Sequence, residues 1–380
     1  MDFSFSHEQI QLRDAVRRFC DHEYPADARA RPNRQEGAAK RWGLMAEMGL
    51  LGLTFDPQYG GSGMSAVDLM LVMEELGRSL AGEPYFSSVV LTGALVAAAG
   101  TPAQSNALIA ALAAGRLKLA LTLLEPASRH ELLPVTAKAD LSVDGYRLNG
   151  RKTLVLDGDT ADMLVVVART TGAAHDRDGL TLFLVEPKAH GVRIDGYPTL
   201  DGRRAADIAF TDVHLARDKV LGTVGAALPL LEETMDRAIA ALCAEASGAL
   251  DALLALTVEY VGVRKQFGVP LARFQALQHR LVDMLIACEQ VRSMACAAAM
   301  AIDGADPVQR RRLVSAAKVQ AGNAARLVGQ QAIQMYGAMG MTDECTVGHY
   351  VKRLMVINQL FGDVPYHLRR FAEQTALQAQ

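Results

Sequence analysis

The chain has 380 residues, half of them hydrophobic, and a formal net charge of −3. That length allows two or three domains with a large core. A near-neutral balance without a long basic run argues against a nucleic-acid partner, and the short Arg310-Arg311-Arg312 run reads as a solvated helix face. The five cysteines, Cys20, Cys243, Cys288, Cys296 and Cys345, are odd in number and form no CxxC pair. They predict free thiols, a reducing compartment and no metal site. The opening residues, MDFSFSHEQIQLRD, are polar and acidic and unlike a secretion signal. The longest apolar runs are interrupted by Glu245 and Asp251 or are short, as over 89–99, so a cytoplasmic chain without a membrane span is expected.

Ser6 caps a predicted helix over 8–22, with Gln9 completing a capping box and Ile10, Leu12, Val16 and Phe19 forming its apolar stripe. A polar connection containing Pro and Arg follows over 24–36. Next come a helix over 39–48, a glycine-rich loop over 57–63 (PQYGGSG) and a helix over 66–79. The loop is no phosphate cradle, because no Lys-Ser/Thr follows its glycines. Two Ala-rich helical stretches fill 87–115. Near Lys118 the pattern changes to short strands at 118–124, 135–143, 146–148, 153–156, 163–169, 180–185 and 206–215. Asp144-Gly145 and Asn149-Gly150 are hairpin signals, and the spacing predicts a small antiparallel barrel or sandwich. The HDRDG segment at 175–179 reads as an exposed loop, with metal binding the alternative. From Ala226 onward, three long helices are predicted at 226–263, 271–303 and 306–340, the last with Asp306 as N-cap and Pro307 at its first position. They read as a bundle. The domains are thus expected at 1–117 (all-α), 118–220 (β) and 221–380 (helical bundle), an α+β chain.

Residues 260–279, YVGVRKQFGVPLARFQALQH, join the first two of these long helices. Arg264 lies one turn after Tyr260 on the same face. Gly268 stands where a helix C-terminus wants positive φ, and Pro270 prevents continuation. Arg264, Gln266 and Phe267 are therefore presented together. A permanently charged planar donor beside an aromatic ring suits a phosphate attached to a ring system. An exposed interhelical turn is the plainer alternative.

The order Tyr-x-x-x-Arg-x-x-Phe-Gly-x-Pro-Leu-x-x-Phe-Gln in this segment resembles the C-terminal signature of the acyl-CoA dehydrogenase family. Trp42, Glu47 and Gly49, then Pro57-x-x-Tyr-Gly-Gly, then Glu74-Glu75-Leu76-Gly77-Arg78 are similar to that family's N-terminal domain. The resemblance implies a helical domain, a β domain and a C-terminal four-helix bundle. It also implies FAD as cofactor, an acyl-CoA substrate, a homo- or hetero-tetramer with a related dehydrogenase chain, and an acceptor such as an electron-transfer flavoprotein. Residue by residue, Arg264, Gln266 and Phe267 would reach a neighbour's FAD on its pyrophosphate side, with Leu271 and Phe274 lining the adjacent wall. Gln334, Met335 and Gly337 would serve the cofactor from a second strip, Gln334-Met335-Tyr336-Gly337-Ala338-Met339-Gly340, in which Ala338 replaces a family glycine. No Gly-x-Gly-x-x-Gly opens a βαβ unit, which argues against a nicotinamide enzyme.

Other positions depart from the family pattern. Leu124, Leu154 and Leu156 stand where the family has Thr, Trp and Thr against the flavin, while Glu125-Pro126 and the frame from Tyr146 to Lys152 are kept. The usual catalytic Glu falls on Gly362, leaving Asp363 one residue late. Asp363 also fits an N-cap, with Pro365 two positions on. The alternative base position of some members falls on Ala238, with Asp236 and Glu245 nearby. Loss of the chain's own flavin contacts beside a retained cross-interface clamp points to one chain of a hetero-oligomeric acyl-CoA dehydrogenase. In pattern it looks closest to small subunits of pimeloyl-CoA-type dehydrogenases. A homotetramer using Asp363 as base, and a non-catalytic scaffold of the same fold, are the alternatives.

Overall fold

The computed structural model describes residues 4–25, 37–304 and 306–378; most of the connection expected over 24–36 lies outside them. Helices come first along the chain, then strands, then helices again. Its contacts divide it into two compact units, one of Gly37–Met64 and Glu83–Ala238, the other of Met1–Glu36, Ser65–Gly82 and Ile239–Gln380.

The first of these holds the β-sheet. Helix α2 (Ala38–Glu47) is tied down by Trp42, whose indole N–H donates to Gly115 O at 3.1 Å. A wholly buried π-helical segment, Tyr85–Gly93, runs into α4 (Ala94–Ala99) and is followed by α5 (Pro102–Ala113). Eight strands follow: β1 (Leu119–Thr122), β2 (Lys138–Ser142), β3 (Gly145–Leu156), β4 (Met163–Arg169), β5 (Leu180–Val185), β6 (Val192–Pro198), β7 (Arg204–Ala216) and β8 (Val220–Leu221). They lie in the order β6-β7-β3-β2-β4-β5-β8, with β1 beside β4. The pairing is antiparallel except for β1 with β4 and a single β2–β4 contact, so the sheet is mixed where the sequence predicts an antiparallel one. β5 is buried along its whole length, as a sheet covered on both faces requires.

Asn149-Gly150 is a correction. It makes no hairpin; β3 runs through it as one 12-residue strand with register shifts. A Cβ on Gly150 would lie 2.5 Å from Ala137 Cβ, so this glycine serves close packing and not reversal. Asp144-Gly145 does sit at the reversal between β2 and β3, whose last pair is Ser142 with Gly145. β6, absent from the sequence reading, is mostly exposed, with Val192 and Ile194 half-buried against the core of the sheet. The HDRDG segment wraps a buried guanidinium: Arg169 donates to the carbonyls of Val135, Thr171, Ala174, Asp176 and Asp178. Among the described residues no metal-binding group of His, Cys, Asp and Glu occurs.

The second unit is helical. Helix α1 (His7–Glu23) starts with the expected reciprocal box, Gln9 N to Ser6 Oγ at 3.2 Å and Ser6 N to Gln9 Oε1 at 3.0 Å. Helix α3 (Ala66–Arg78) has the same device from Ser65 and Asp68. The rest is α6 (Leu228–Val263, in this unit from Ile239), α7 (Gln275–Ile302), α8 (Pro307–Tyr336), α9 (Thr346–Gln359) and α10 (Val364–Gln378). By length and apolarity alone, α6 and α7 could cross a bilayer, despite the interrupting acids noted above. In α6 that apolarity is core, since 72% of its most apolar window is buried; in α7 the share is 39%.

α3 and α6 cross at backbone contact. A Cβ on Gly248 would fall 1.8 Å from Glu74 O, and one on Gly77 would fall 2.1 Å from Glu245 O. Ser247 Oγ adds a hydrogen bond to Glu74 Oε1 at 3.0 Å. Glu245 itself is buried in a two-pronged ion pair with Arg353 of α9, at 2.8 and 2.6 Å. Gly248→Ala must push the two helices apart, so it is expected to cost about 1–3 kcal/mol. Urea unfolding should register this as a lower midpoint with an unchanged slope.

Candidate functional site

The segment after α6 is a correction in detail. The helix stops at Val263, and two short strands, β9 (Lys265–Gln266) and β10 (Val269–Pro270), make a hairpin. Its turn residues, Phe267 at φ 56° and Gly268 at φ 83°, both lie in the left-handed region, as a tight two-residue hairpin turn demands. Gly268 therefore supplies positive φ to a hairpin and not to a helix cap. Arg264 closes the base: its N–H donates to Tyr260 O at 2.8 Å, and its carbonyl accepts from Leu271 N at 2.8 Å.

This geometry brings Arg264, Gln266 and Phe267 together at one exposed tip. The Arg264 guanidinium has no hydrogen-bond or ion-pair partner among the described residues. Gln266 donates only to its neighbour's carbonyl, Lys265 O. The Phe267 ring is 90% exposed and meets Phe274 edge-on at 6.1 Å. Leu271 and Phe274 are half-buried below it, Leu271 in a 3-10 turn (Leu271–Arg273) that precedes α7.

The second strip closes α8. Gln334 is exposed and its side chain has no partner among the described residues, whereas Met335 is buried in the core. Gly337 ends the helix at φ 63°, with nothing within 4 Å of the position a Cβ would take. Tyr336 stacks on Tyr260 at 4.0 Å and donates to Leu256 O at 2.9 Å, fixing this strip to the end of α6. The donors left free here, a guanidinium and amides beside an open backbone shoulder, suit a dinucleotide's pyrophosphate.

In the β unit, the positions expected to face a flavin ring are differently equipped. Leu124, Leu154 and Leu156 are half-buried and offer no side-chain hydrogen bond. Leu154 bulges from β3 at φ 50°. The polar groups around it turn to Asp207, which accepts from Thr153 Oγ1 at 2.7 Å, Tyr197 Oη at 3.1 Å and Leu154 N at 3.4 Å. Burial raises the Asp207 pKa, but these donors and Arg151 hold it below the usual carboxylate value. Beneath lies Glu125, paired at 2.9 Å with the fully buried Lys152. Burial pushes Glu125 up, yet Lys152, the Thr136 hydroxyl and the Ala137 N–H bring it below its ordinary value. Burial lowers Lys152 despite Glu125. The retained Glu-Pro motif and Lys152 thus form a structural pair. The FAD fit is uneven: donors at the helical tip, apolar contact alone from the three leucines.

The carboxylates considered as bases are engaged. Glu245 is held by Arg353, as described above, which removes it as a free proton acceptor. Asp236 is fully buried. Asp363 is the N-cap of α10: its Oδ1 accepts from Tyr366 N at 3.0 Å, and its carbonyl accepts from His367 N at 3.0 Å. Sequence reasoning missed Lys318, which lies 1% exposed behind the segment carrying Asp363.

Comparison with known proteins agrees with this architecture. Models of the acyl-CoA dehydrogenase N-terminal, middle and C-terminal domains match residues 6–116, 120–215 and 228–375. Mitochondrial isovaleryl-CoA dehydrogenase of Pongo abelii is 30% identical over 297 residues, 75% of this chain and 70% of that protein. The butyryl-CoA dehydrogenase structure from Megasphaera elsdenii superposes with a TM-score of 0.90 at 25% identity, covering all of both chains. A variant of the Tcur3481–Tcur3483 steroid ACAD does so with 0.84 at 26% identity, covering 98% of each. The chain belongs to the acyl-CoA dehydrogenase family, oxidoreductases that use FAD.

Glu125→Gln would leave the Lys152 ammonium buried without its counter-charge. A loss of about 3–5 kcal/mol is expected, measured by urea unfolding of the β unit's near-ultraviolet signal.

Proposed function

We propose that this chain takes part in the α,β-dehydrogenation of an acyl-CoA thioester as one subunit of a hetero-oligomer. A related chain supplies much of the flavin pocket and the base. FAD, when bound, takes up the hydride that leaves the β-carbon. This chain's part is to bind and orient it: Arg264 and Gln266 hold the anionic bridge of the dinucleotide carried by the neighbour, and Phe267 covers it. An electron-transfer flavoprotein is the proposed acceptor.

The observation that carries this reading is the division of polar groups. Donors stand unused at the exposed tip, while the three leucines give a flavin no hydrogen bond and Glu245 and Asp363 are occupied within the fold. A resident ring would lose hydrogen bonds worth roughly 1–3 kcal/mol each if its polar atoms were left unpaired. The apolar face of α7, with Val282, Leu285 and Ile286 about half exposed, offers surface to a partner. The two chain names joined in the Tcur3481–Tcur3483 enzyme fit the same organisation.

Flavin absorbance at about 450 nm tests the reading. Purified alone, the chain should be nearly colourless; co-purified with its related chain, it should carry less than one FAD per polypeptide. Arg264→Ala should then lower FAD retention by the complex about tenfold or more. Full colour and turnover by the chain alone would defeat the proposal.

A self-sufficient enzyme using Asp363 is the second reading, favoured by the fact that, among the described residues, only one of its carboxylate oxygens accepts a hydrogen bond. Asp363→Asn separates the two, since Asn caps a helix about as well as Asp but cannot take a proton. Turnover by the complex should survive this change with stability intact. Its abolition would make Asp363 the base.

A further inference from the structure

The connection between α9 and α10, residues 360–363, is built on one buried cation. Lys318 lies in the middle of α8 and turns its ammonium to four carbonyl oxygens: Ile357 at 2.6 Å, Asn358 at 3.2 Å, Leu360 at 2.8 Å and Gly362 at 3.0 Å. Ile357 and Asn358 belong to the last turn of α9, whose carbonyls lack intrahelical partners and carry the negative end of the helix dipole. The carbonyl omitted near the end of this run, Phe361 O, meets His367 Nε2 at 3.1 Å. A carbonyl can only accept, so Nε2 carries the proton. In the neutral ring, Nδ1 then accepts from Ser315 Oγ at 3.3 Å, one turn before Lys318 on α8. Four of these carbonyls thus answer to Lys318 of α8 and a fifth to His367 of α10, whose ring is held in turn by Ser315 of α8.

The backbone here needs such holding. Phe361 has φ of 56°, a conformation that a bulky residue keeps only where surrounding contacts fix it, and it is followed by Gly362 at φ 113°. Among the described residues no carboxylate forms an ion pair with Lys318; the four carbonyl oxygens are its hydrogen-bond partners, and Asp363 favours its charged form from beyond hydrogen-bonding distance. Burial pushes its pKa down to about 8, which leaves it mostly charged at neutral pH. Three N–H groups shared among four acceptors require the ammonium; an apolar side chain of equal length fills the space but strands the carbonyls.

We propose that Lys318 is a positioning residue for this reaction, its charge fixing the shape of residues 360–363. The proposal rests on the second reading above, in which Asp363 of this chain is the base, because this stretch corresponds to the segment bearing the base in the wider family. Lys318 itself touches no reacting group.

Lys318→Met in the full chain keeps the length and apolar stem and deletes the charge. Hydrogen exchange should show the amides of residues 357–367 exchanging about tenfold faster or more, with those of α6 and α7 unchanged. In the active assembly kcat should fall while KM holds. Unchanged exchange in this variant would overturn the proposal, as would faster exchange with unchanged kcat. Should Lys318→Met not fold, Lys318→Gln retains a neutral donor and is expected to change exchange in the same direction by a smaller factor; no change there also overturns it. If no assembly turns over any acyl-CoA, the functional reading above fails, while the exchange result still decides whether the charge of Lys318 holds the segment.

Discussion

The helical unit depends on the contact between α3 and α6. Two glycines let the backbones touch, and Glu245 beside them is 1% exposed. Its carboxylate must therefore be answered from within, and Arg353 does so from α9. Tyr350, one turn earlier on α9, donates to Arg78 O at the end of α3. Three helices remote in sequence are thereby fixed at one level. Breaking a buried pair of this kind by removing one partner costs about 3–5 kcal/mol, a large share of a typical domain's stability. The polar group is retained because its loss would strand its partner, not because a salt bridge in the core is intrinsically favourable.

Much of this fold was legible in the sequence, because its signals are local. Ser6 with Gln9, and Asp306 with Pro307, declare helix starts that the structure contains. The change to short β-type runs near Lys118 marks the sheet. What was illegible depends on distant partners. Asn149-Gly150 has the composition of a turn, yet the closeness of Ala137 gives the glycine another purpose. β6 turns Val192 and Ile194 to the core, but Asp195 and Gly196 cut that alternation too short to announce a strand. Gly268 signalled positive φ, but Phe267 concealed its own, since aromatic residues rarely adopt it. Lys318 reads as an ordinary surface lysine on an Ala-rich helix; only the return of the chain about forty residues later reveals that it is enclosed.

The site was legible in its donors more than in its deficits. A resemblance can mark Arg264, Gln266, Phe267 and Gln334, and the structure adds that the Arg264 and Gln334 side chains have no partner within the described chain. The same resemblance flags Leu124, Leu154 and Leu156 as departures. The structure adds that neighbouring polar groups have regrouped on Asp207. The donors of the helical tip are left open, whereas in the β unit the polar groups beside Leu154 bond to Asp207.

In the proposed assembly, the hairpin after α6 sets the manner in which this chain meets another. Its tip is already folded, held by main-chain bonds at Arg264 and by the edge-on contact of two phenyl rings. Backbone of this kind is tolerated at a cost of about 1–3 kcal/mol and is recovered only through what it enables. Encounter with a mate therefore needs no disorder-to-order step and loses little conformational entropy. In the proposed assembly a preformed prong of this sort would select by fit, admitting a neighbour whose groove matches its outline.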